Sequence, residues 1–417
     1  MGTLKSINQA IITVGGKGTR LKEVTKNIPK PLWLLNGTST LERAVINVSS
    51  QGINNIILLC GFNANFFRVE IRKFEVKYKV KFKIYEEKEV LGEAGAIFKI
   101  IESLEDVFLF INGDIVFDLD FKRLFKYYED LSADLVFITH TSSHPEDSDC
   151  VIEDTSNRIL KYKFKNDHNK KNFFLGNAGV SLLSKKVILK LKELNFDKKK
   201  ELSFFKDVII KAHNFGLKVF SYNTSEYLKD MGTKERLIKV EQDIKNLLPS
   251  KLSYRNKQSA LFLDRDDTLI ECGRDNYITN INNVRLLDAN IKKLKEISKK
   301  FNMVVVITNQ PQISRGLCSF DLVNEINSKV AQLCLEKGLL INYFYICPHH
   351  PHNGFKNEIK SLKMRCFCRK PNPGMILQAS FERNIDLSIS KFIGDSWRDQ
   401  KASESISLNF ENINSIS

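Results

Sequence analysis

Disulfide bridges, membrane spans and low-complexity tracts are what this sequence has too little material for. Eight cysteines in 417 residues are too few for a disulfide framework. No apolar run approaches the roughly 20 residues that a membrane span needs, and Met1 to Ala10 lack the apolar segment of a signal peptide. The expectation is a cytoplasmic protein with no membrane partner. Nine prolines and 20 glycines, beside 42% hydrophobic and 27% charged residues, exclude a collagen-like or disordered chain. What is present is length for roughly two to three domains at ~150 residues each, and positive charge. Lys+Arg number 64 against 49 Asp+Glu, a net +15. Such a surplus suits nucleic acid, an anionic membrane or phosphorylated small substrates. The Lys-rich stretches 161–171 and 198–200 carry no aromatic stacking pattern and read as solvated surface.

Along the chain, short apolar runs alternate with segments of helical period. Gln9–Val14, Ile56–Cys60, Val107–Ile111 and Asp134–Ile138 have strand character, and Leu41–Ser50 has the spacing of a helix. This rhythm predicts a largely parallel sheet covered by helices, lasting to about Leu248. The stretch 249–258 is polar and basic and reads as a linker. A second α/β rhythm follows, with strands at Ala260–Leu263, Met303–Thr308 and Phe392–Ile393 and helices over Asn290–Phe301 and Leu322–Glu336. The expected domains are therefore 1–248 and 259–417.

Gln9–Val14 breaks into Gly15-Gly16-Lys17-Gly18-Thr19-Arg20-Leu21, followed by Thr25 and Pro29-Lys30-Pro31. Glycines let backbone N–H groups close on phosphate oxygens, Arg20 can neutralise charge developing there, and Lys30 can reach the attacked phosphate. The Gly-Lys-Ser/Thr ending of a Walker A loop is absent. These residues at these spacings resemble the sugar-1-phosphate nucleotidyltransferase family. The resemblance implies a Rossmann-like domain whose nucleotide contacts come from Gly15, Gly16, Gly18 and Thr19, with Arg20 and Lys30 catalytic. It extends to Leu91-Gly92-Glu93-Ala94-Gly95 as nucleobase loop, through Gly92 and Gly95, and to Asn177-Ala178-Gly179 as sugar-binding strand, through Asn177 and Gly179. Asp114, after Asn112-Gly113, and Asp230, before Met231-Gly232-Thr233, are implied as Mg²⁺ ligands. Two departures stand out: Lys163-Phe164-Lys165-Asn166 lies where the family places a Glu-Lys-Pro, and Val14 replaces an alanine.

In the second half, Ala260–Leu263 runs into Asp264-Arg265-Asp266-Asp267-Thr268. An aspartate at a strand end can attack phosphorus, and one two residues later can donate and then take a proton. Thr308 and Asn309 follow a strand, Arg369-Lys370-Pro371 offers a lysine to phosphate, and Gly394-Asp395-Ser396-Trp397-Arg398-Asp399 offers acidic metal ligands. The ordered set resembles the haloacid dehalogenase superfamily of phosphatases. It implies Asp264 and Asp266 as catalytic pair, Mg²⁺ on Asp264, Asp266, Asp395 and Asp399, and substrate contacts from Thr308, Asn309, Arg315, Arg369 and Lys370. Cys347-Pro-His349-His350 and Cys366-Phe-Cys368, about sixteen residues apart, have the layout of a closed, structural tetrahedral Zn²⁺ site on Cys347, His349, Cys366 and Cys368, with His350 and His352 as competing donors. This zinc-binding loop, with Thr-Asn-Gln before it, is similar to one subgroup, the heptose 1,7-bisphosphate 7-phosphatases and histidinol-phosphatases. Asp267 stands where the subgroup has glycine, and Pro311-Gln312 replace Ser-Gly.

The two resemblances imply reactions that fit in series: removal of the 7-phosphate from a heptose 1,7-bisphosphate, then nucleotidyl transfer to heptose 1-phosphate with release of pyrophosphate. GTP and an α-anomeric product are the expected pair. Open alternatives are another phosphorylated sugar with UTP, CTP or dTTP, and a non-catalytic N-terminal nucleotide module regulating a phosphatase. The expected partners are small-molecule substrates, which account for the positive charge without nucleic acid. Oligomeric state is not readable from the sequence.

Overall fold

The computed structural model describes residues 7–15, 28–61, 64–142, 145–154, 156–165, 167, 174–196, 201–273 and 276–416. These form two compact units, one of 1–139 with 177–253 and one of 140–176 with 254–417.

In the first unit, β1 (Gln9–Thr13), β2 (Asn55–Cys60), β3 (Lys81–Glu86) and β4 (Val107–Asn112) are parallel neighbours in the order β4-β1-β2-β3. Ala10 to Ile12, Ile56 to Leu59 and Phe108 to Ile111 are all buried. A parallel strand covered on both faces needs such an unbroken apolar run. The covering helix α1 (Thr40–Ser49) starts where the Ser39 hydroxyl accepts from Glu42 N at 3.1 Å, and it turns Leu41, Ala44, Val45 and Val48 inward. A second helix, α2 (Ala64–Tyr78), buries Phe67, Ile71 and Phe74 in the same core.

The sheet is less parallel than the sequence rhythm indicated. After β5 (Ile115–Asp118) and β6 (Leu135–Thr141), the antiparallel pair β7 (Cys150–Glu153) and β8 (Ile159–Lys163) precedes β9 (Leu175–Ser184), which runs antiparallel to β4. Two further strands, β10 (Val219–Asn223) and β11 (Tyr227–Asp230), pair with β6 in parallel and with β5 in antiparallel fashion.

The second unit carries a parallel five-stranded sheet. Its strands β12 (Ala260–Leu263), β13 (Met303–Asn309), β14 (Tyr343–Cys347), β15 (Lys391–Gly394) and β16 (Asn409–Asn412) lie in the order β14-β13-β12-β15-β16. The expected strands fall within β12, β13 and β15. Of the expected helices, α3 (Asp288–Ser298) stops three residues short of Phe301, in a turn closed by Phe301 N to Ser298 O. The other, α4 (Phe320–Glu336), begins at a Ser319 cap. The last helices, α5 (Gly374–Arg383) and α6 (Trp397–Glu404), follow the phosphate-lysine segment and Asp395.

Two features of the division were not legible as a linker. Leu248 and Leu252 pack against Tyr227, Leu237 and Val240 of the first unit, whereas Tyr254 is buried in the core of the second, its hydroxyl 2.5 Å from that of Tyr343. Polar neighbours hide Leu252 and Tyr254 within 249–258. The segment 140–176, inside the block expected as 1–248, folds with the second unit: Asn324 Nδ2 donates to Glu153 O at 3.1 Å, and Lys161 pairs with Glu325 at 2.7 Å. Among the described residues no helix is long and apolar enough to cross a membrane.

Candidate active sites

In the first unit the candidate site gathers at the carboxyl ends of β1 and β4. Gly15 follows β1 so closely against Gly61 that a Cβ would stand 2.7 Å from Gly61 N. Gly16, Gly18, Thr19 and Arg20 lie outside the described residues. Lys30 opens a short turn after Pro29, and its ammonium reaches Asp114 Oδ2 at 2.8 Å. Asp114 precedes β5, and the β5–β11 register sets Asp230 opposite Ile115. The two expected metal carboxylates thus share one end of a ribbon. Asp230 accepts from Gly232 N at 2.7 Å, and Arg236 Nη1 is 3.0 Å from both of its oxygens. Burial works to raise the Asp230 carboxyl, but the Gly232 N–H, Arg236 and the charge of Lys30 outweigh it and hold the group below its ordinary range.

The remaining expected contacts sit on tight backbone. Gly92 has φ +76°, and an added Cβ would lie 2.5 Å from Leu202 O, so only glycine suits this turn. Gly95 starts the following short helical turn. On β9, Gly179 has φ +72°, and a Cβ there would meet Asn112 Nδ2 at 2.9 Å, while Asn177 Oδ1 lies 3.5 Å from Gly179 N.

In the second unit the site occupies the carboxyl edge of the parallel sheet, where open α/β folds place their ligands. Asp264 follows β12, Thr308 and Asn309 end β13, Cys347 ends β14 and Asp395 follows β15. Lys370 is buried, with Nζ 2.7 Å from Asp264 Oδ1, 2.6 Å from Asp399 Oδ1 and 2.8 Å from Ile307 O. Oxygens of Asp264, Asp395 and Asp399 all lie within 4.8 Å of one another. Burial first, then Asp399 and Asp266, push the Asp264 carboxyl up against the pull of Lys370. One ammonium cannot neutralise three carboxylates at an edge this closed, so the donor set suits a divalent cation.

Two of the expected site residues have their side chains engaged within the protein. Asp266 is not in that carboxylate set. Its oxygens turn to the buried guanidinium of Arg265, with Nε to Oδ1 at 2.9 Å and Nη2 to Oδ2 at 3.2 Å, and to Gln310 Nε2 at 2.8 Å. Asn309, expected at the substrate, instead clamps the phosphate lysine: Lys370 N donates to its Oδ1 at 3.0 Å and its Nδ2 donates to Lys370 O at 3.0 Å. Thr308 is buried and accepts from Gln310 Nε2 at 2.7 Å.

Sulfurs of Cys347, Cys366 and Cys368 and Nδ1 of His349 form a compact cluster with separations of 3.2 to 3.7 Å. Bonds of about 2.3 Å from zinc to sulfur place tetrahedral sulfurs about 3.8 Å apart, so the set fits a closed four-coordinate ion with small outward adjustments. His350 is not a member. Burial, then the charges of Arg369 and Arg315, hold its imidazole down to about 4, and Arg315 Nη2 lies 3.1 Å from its Nε2. The Arg315 guanidinium also lies 4.4 Å from the ring centroid of Phe355 and 5.1 Å from that of Tyr277. Arg369 Nη1 donates to His349 O at 3.0 Å, tying the cluster to the residue beside Lys370.

Sequence reasoning passed over Arg236, Arg265, Gln310 and Asn327. Asn327 had a signal: it interrupts the buried stripe Val323, Ile326, Val330, Ala331 and Cys334 of α4. Its Oδ1 accepts from Arg265 Nη1 at 2.8 Å.

Folds and sites together define a two-unit α/β enzyme of phosphoryl chemistry, a nucleotidyltransferase joined to a haloacid dehalogenase-like phosphatase. The profile of the family described as Nucleotidyl transferase matches residues 9–246, and that described as Polynucleotide kinase 3 phosphatase matches 259–411. The chain belongs to the nucleotidyl transferase family through its first half and to a family of sugar-bisphosphate phosphatases through its second. D-glycero-beta-D-manno-heptose-1,7-bisphosphate 7-phosphatase of Haemophilus influenzae is 39% identical over 144 residues, 34% of this chain and 74% of that protein. The enzyme of that name from Yersinia pestis is 33% identical over 144 residues, 34% of this chain and 73% of its own. A crystal structure of a candidate glucose-1-phosphate thymidylyltransferase from Bacillus anthracis covers 58% of this chain and 94% of its own at 21% identity and TM-score 0.51, a likeness of fold.

Proposed function

We propose that this bifunctional enzyme first dephosphorylates a heptose 1,7-bisphosphate at C7 and then transfers a nucleotidyl group, GMP from GTP, to the resulting heptose 1-phosphate. The carrying observation is the convergence of Asp264, Asp395, Asp399 and Lys370 at one sheet edge, in a unit related to heptose bisphosphate phosphatases and continuous with a nucleotidyltransferase. The choice of GTP follows by analogy with the sugar-1-phosphate nucleotidyltransferases that the first half resembles.

In the phosphatase, Asp264 attacks the 7-phosphorus while Thr308 and Lys370 hold its oxygens. Asp266 protonates the departing sugar oxygen as the ester P–O bond breaks, then takes a proton from the water that cleaves the aspartyl phosphate. Asp264, Asp395 and Asp399 would hold Mg²⁺, which when bound offsets charge on the transferring phosphoryl group. In the transferase, a sugar phosphate oxygen attacks the α-phosphorus in line and the bond to pyrophosphate breaks. Lys30 and Arg20 would face the phosphates, and Asp114 and Asp230 would hold Mg²⁺.

Incubating the enzyme with heptose 1,7-bisphosphate and each nucleoside triphosphate, then weighing the product by mass spectrometry, tests the reading. A GDP-heptose formed only when the phosphatase is active is expected. The relatives' names specify the β anomer and our reading takes the α anomer for nucleotidyl transfer, so both heptose 1-phosphates belong in the assay. Clear preference for UTP or dTTP would discard the guanylyl assignment.

We further propose that Cys347, His349, Cys366 and Cys368 hold a structural Zn²⁺. Cys368→Ser is expected to lose one bound zinc per chain by elemental analysis, to open the 347–370 segment to protease, and to lower phosphate release by about 10-fold or more through loss of the Arg369–Lys370 anchor. Unchanged zinc content would refute the site.

A further inference from the structure

We infer that Asn327 is a positioning residue for the phosphatase proton donor, acting through Arg265 on Asp266. The inference rests on the reading of Asp266 as that donor. An aspartate at a strand end has two side-chain torsions to settle, and proton transfer demands a carboxyl set within hydrogen-bond reach of the leaving oxygen. Arg265 supplies a two-pronged contact to both Asp266 oxygens. A fork carried by the adjacent residue does not orient itself, so its plane must be set from elsewhere. Two groups set it. Nη2 donates to Gln310 Oε1 at 2.6 Å, and Nη1 donates to Asn327 Oδ1 at 2.8 Å.

Asn327 suits this task because of where it sits. It is buried in α4 among Val323, Ile326, Val330 and Ala331, so its amide is held by a packed helix rather than a loop. Its Nδ2 has no partner among the described residues, so the amide is committed through its oxygen alone. Gln310 is fixed independently, through Thr308 Oγ1 and through its backbone N–H to Cys347 O at 2.7 Å. Arg265 itself is only 1% exposed, which leaves its guanidinium no water to turn toward.

The consequence follows the proton. In the first step Asp264 forms its bond to phosphorus, the ester P–O bond breaks, and the Asp266 proton goes to the sugar alkoxide. A nitrophenolate leaving group departs without that proton. Asn327→Leu in the full chain should therefore lower kcat for heptose 1,7-bisphosphate by about 30-fold, ~2 kcal/mol in the barrier, with KM changed by less than about threefold. First-turnover release of p-nitrophenol from p-nitrophenyl phosphate should stay within about threefold of the parent, and this also reports that the variant is folded. Asn327→Asp keeps the acceptor and should recover most of the lost rate. Equal slowing of both esters, no slowing of either, or an aspartate variant as slow as leucine would overturn the inference. If leucine does not fold, Asn327→Ala is read by the same contrast. Asp266→Asn run in parallel separates the two claims. It should show the same leaving-group contrast at about 10²- to 10⁴-fold. Absence of that contrast refutes the proton-donor reading, whereas its presence beside an indifferent Asn327→Leu refutes only the role of Asn327.

Discussion

Asp264→Asn is expected to lower phosphate release by at least about 10⁴-fold, since an amide is no substitute for the attacking carboxylate. Asparagine is nearly isosteric and neutral, and Lys370 keeps Asp399 at 2.6 Å and Ile307 O at 2.8 Å. Folding should survive. Burial and the neighbouring carboxylates already disfavour charge on Asp264, so removing it relieves repulsion, and the metal-free second unit should melt at the same temperature or slightly higher. Nucleotidyl transfer from supplied heptose 1-phosphate should persist, because none of the groups assigned to it lies in this cluster. The check is phosphate release and pyrophosphate release measured on one preparation. Loss of both with an unchanged melting profile would mean that the reactions share one catalytic apparatus.

The converse experiment neutralises the first unit's pair. Asp114→Asn with Asp230→Asn should reduce pyrophosphate release by about 10³-fold or more, ~4 kcal/mol, the scale expected when the groups that place a metal on transferring phosphates are gone. Lys30 and Arg236 now hold these carboxylates at 2.8 and 3.0 Å. In the double variant both cations lose their partners at a partly exposed edge, where the stability cost is small. Activity should therefore fall far more than stability, with phosphate release preserved. Full pyrophosphate release in the double variant would refute the metal assignment to Asp114 and Asp230.

How much of this was readable in advance depends on the range of the interaction. Apolar runs located β1, β2, β4, β12 and β13, because a covered parallel strand must be apolar on both faces. Local motifs found Asp264, Lys370, Asp395 and Asp399; in the structure Lys370 pairs with Asp264 and Asp399, and oxygens of the three carboxylates lie within 4.8 Å of one another. Asp266 is legible as a site residue, but the partners of its side chain are not. Its partners Arg265 and Gln310 pull its oxygens away, and the Gln310 contact spans 44 residues of sequence. Asn309 was read as facing substrate, whereas its amide closes on the backbone of Lys370, 61 residues away. The contacts of 140–176 with Asn324 and Glu325 were hidden for a similar reason: those partners come far later in the chain.

The sequence by itself determined the chemistry available: a glycine loop with Arg20 and Lys30, an Asp-x-Asp pair at a strand end, and three thiols with an imidazole in two short pairs. These are properties of residue type and near-neighbour spacing, which covalent geometry holds whatever the fold. Only the tertiary structure decided which of those groups face each other. It set Lys370 between Asp264 and Asp399, turned Asp266 to Arg265, chose His349 over His350 at the thiol cluster, and brought Asn327 from a helix to the guanidinium. Such choices follow from strand register and helix packing, where burial leaves each polar group only the partners that the fold supplies.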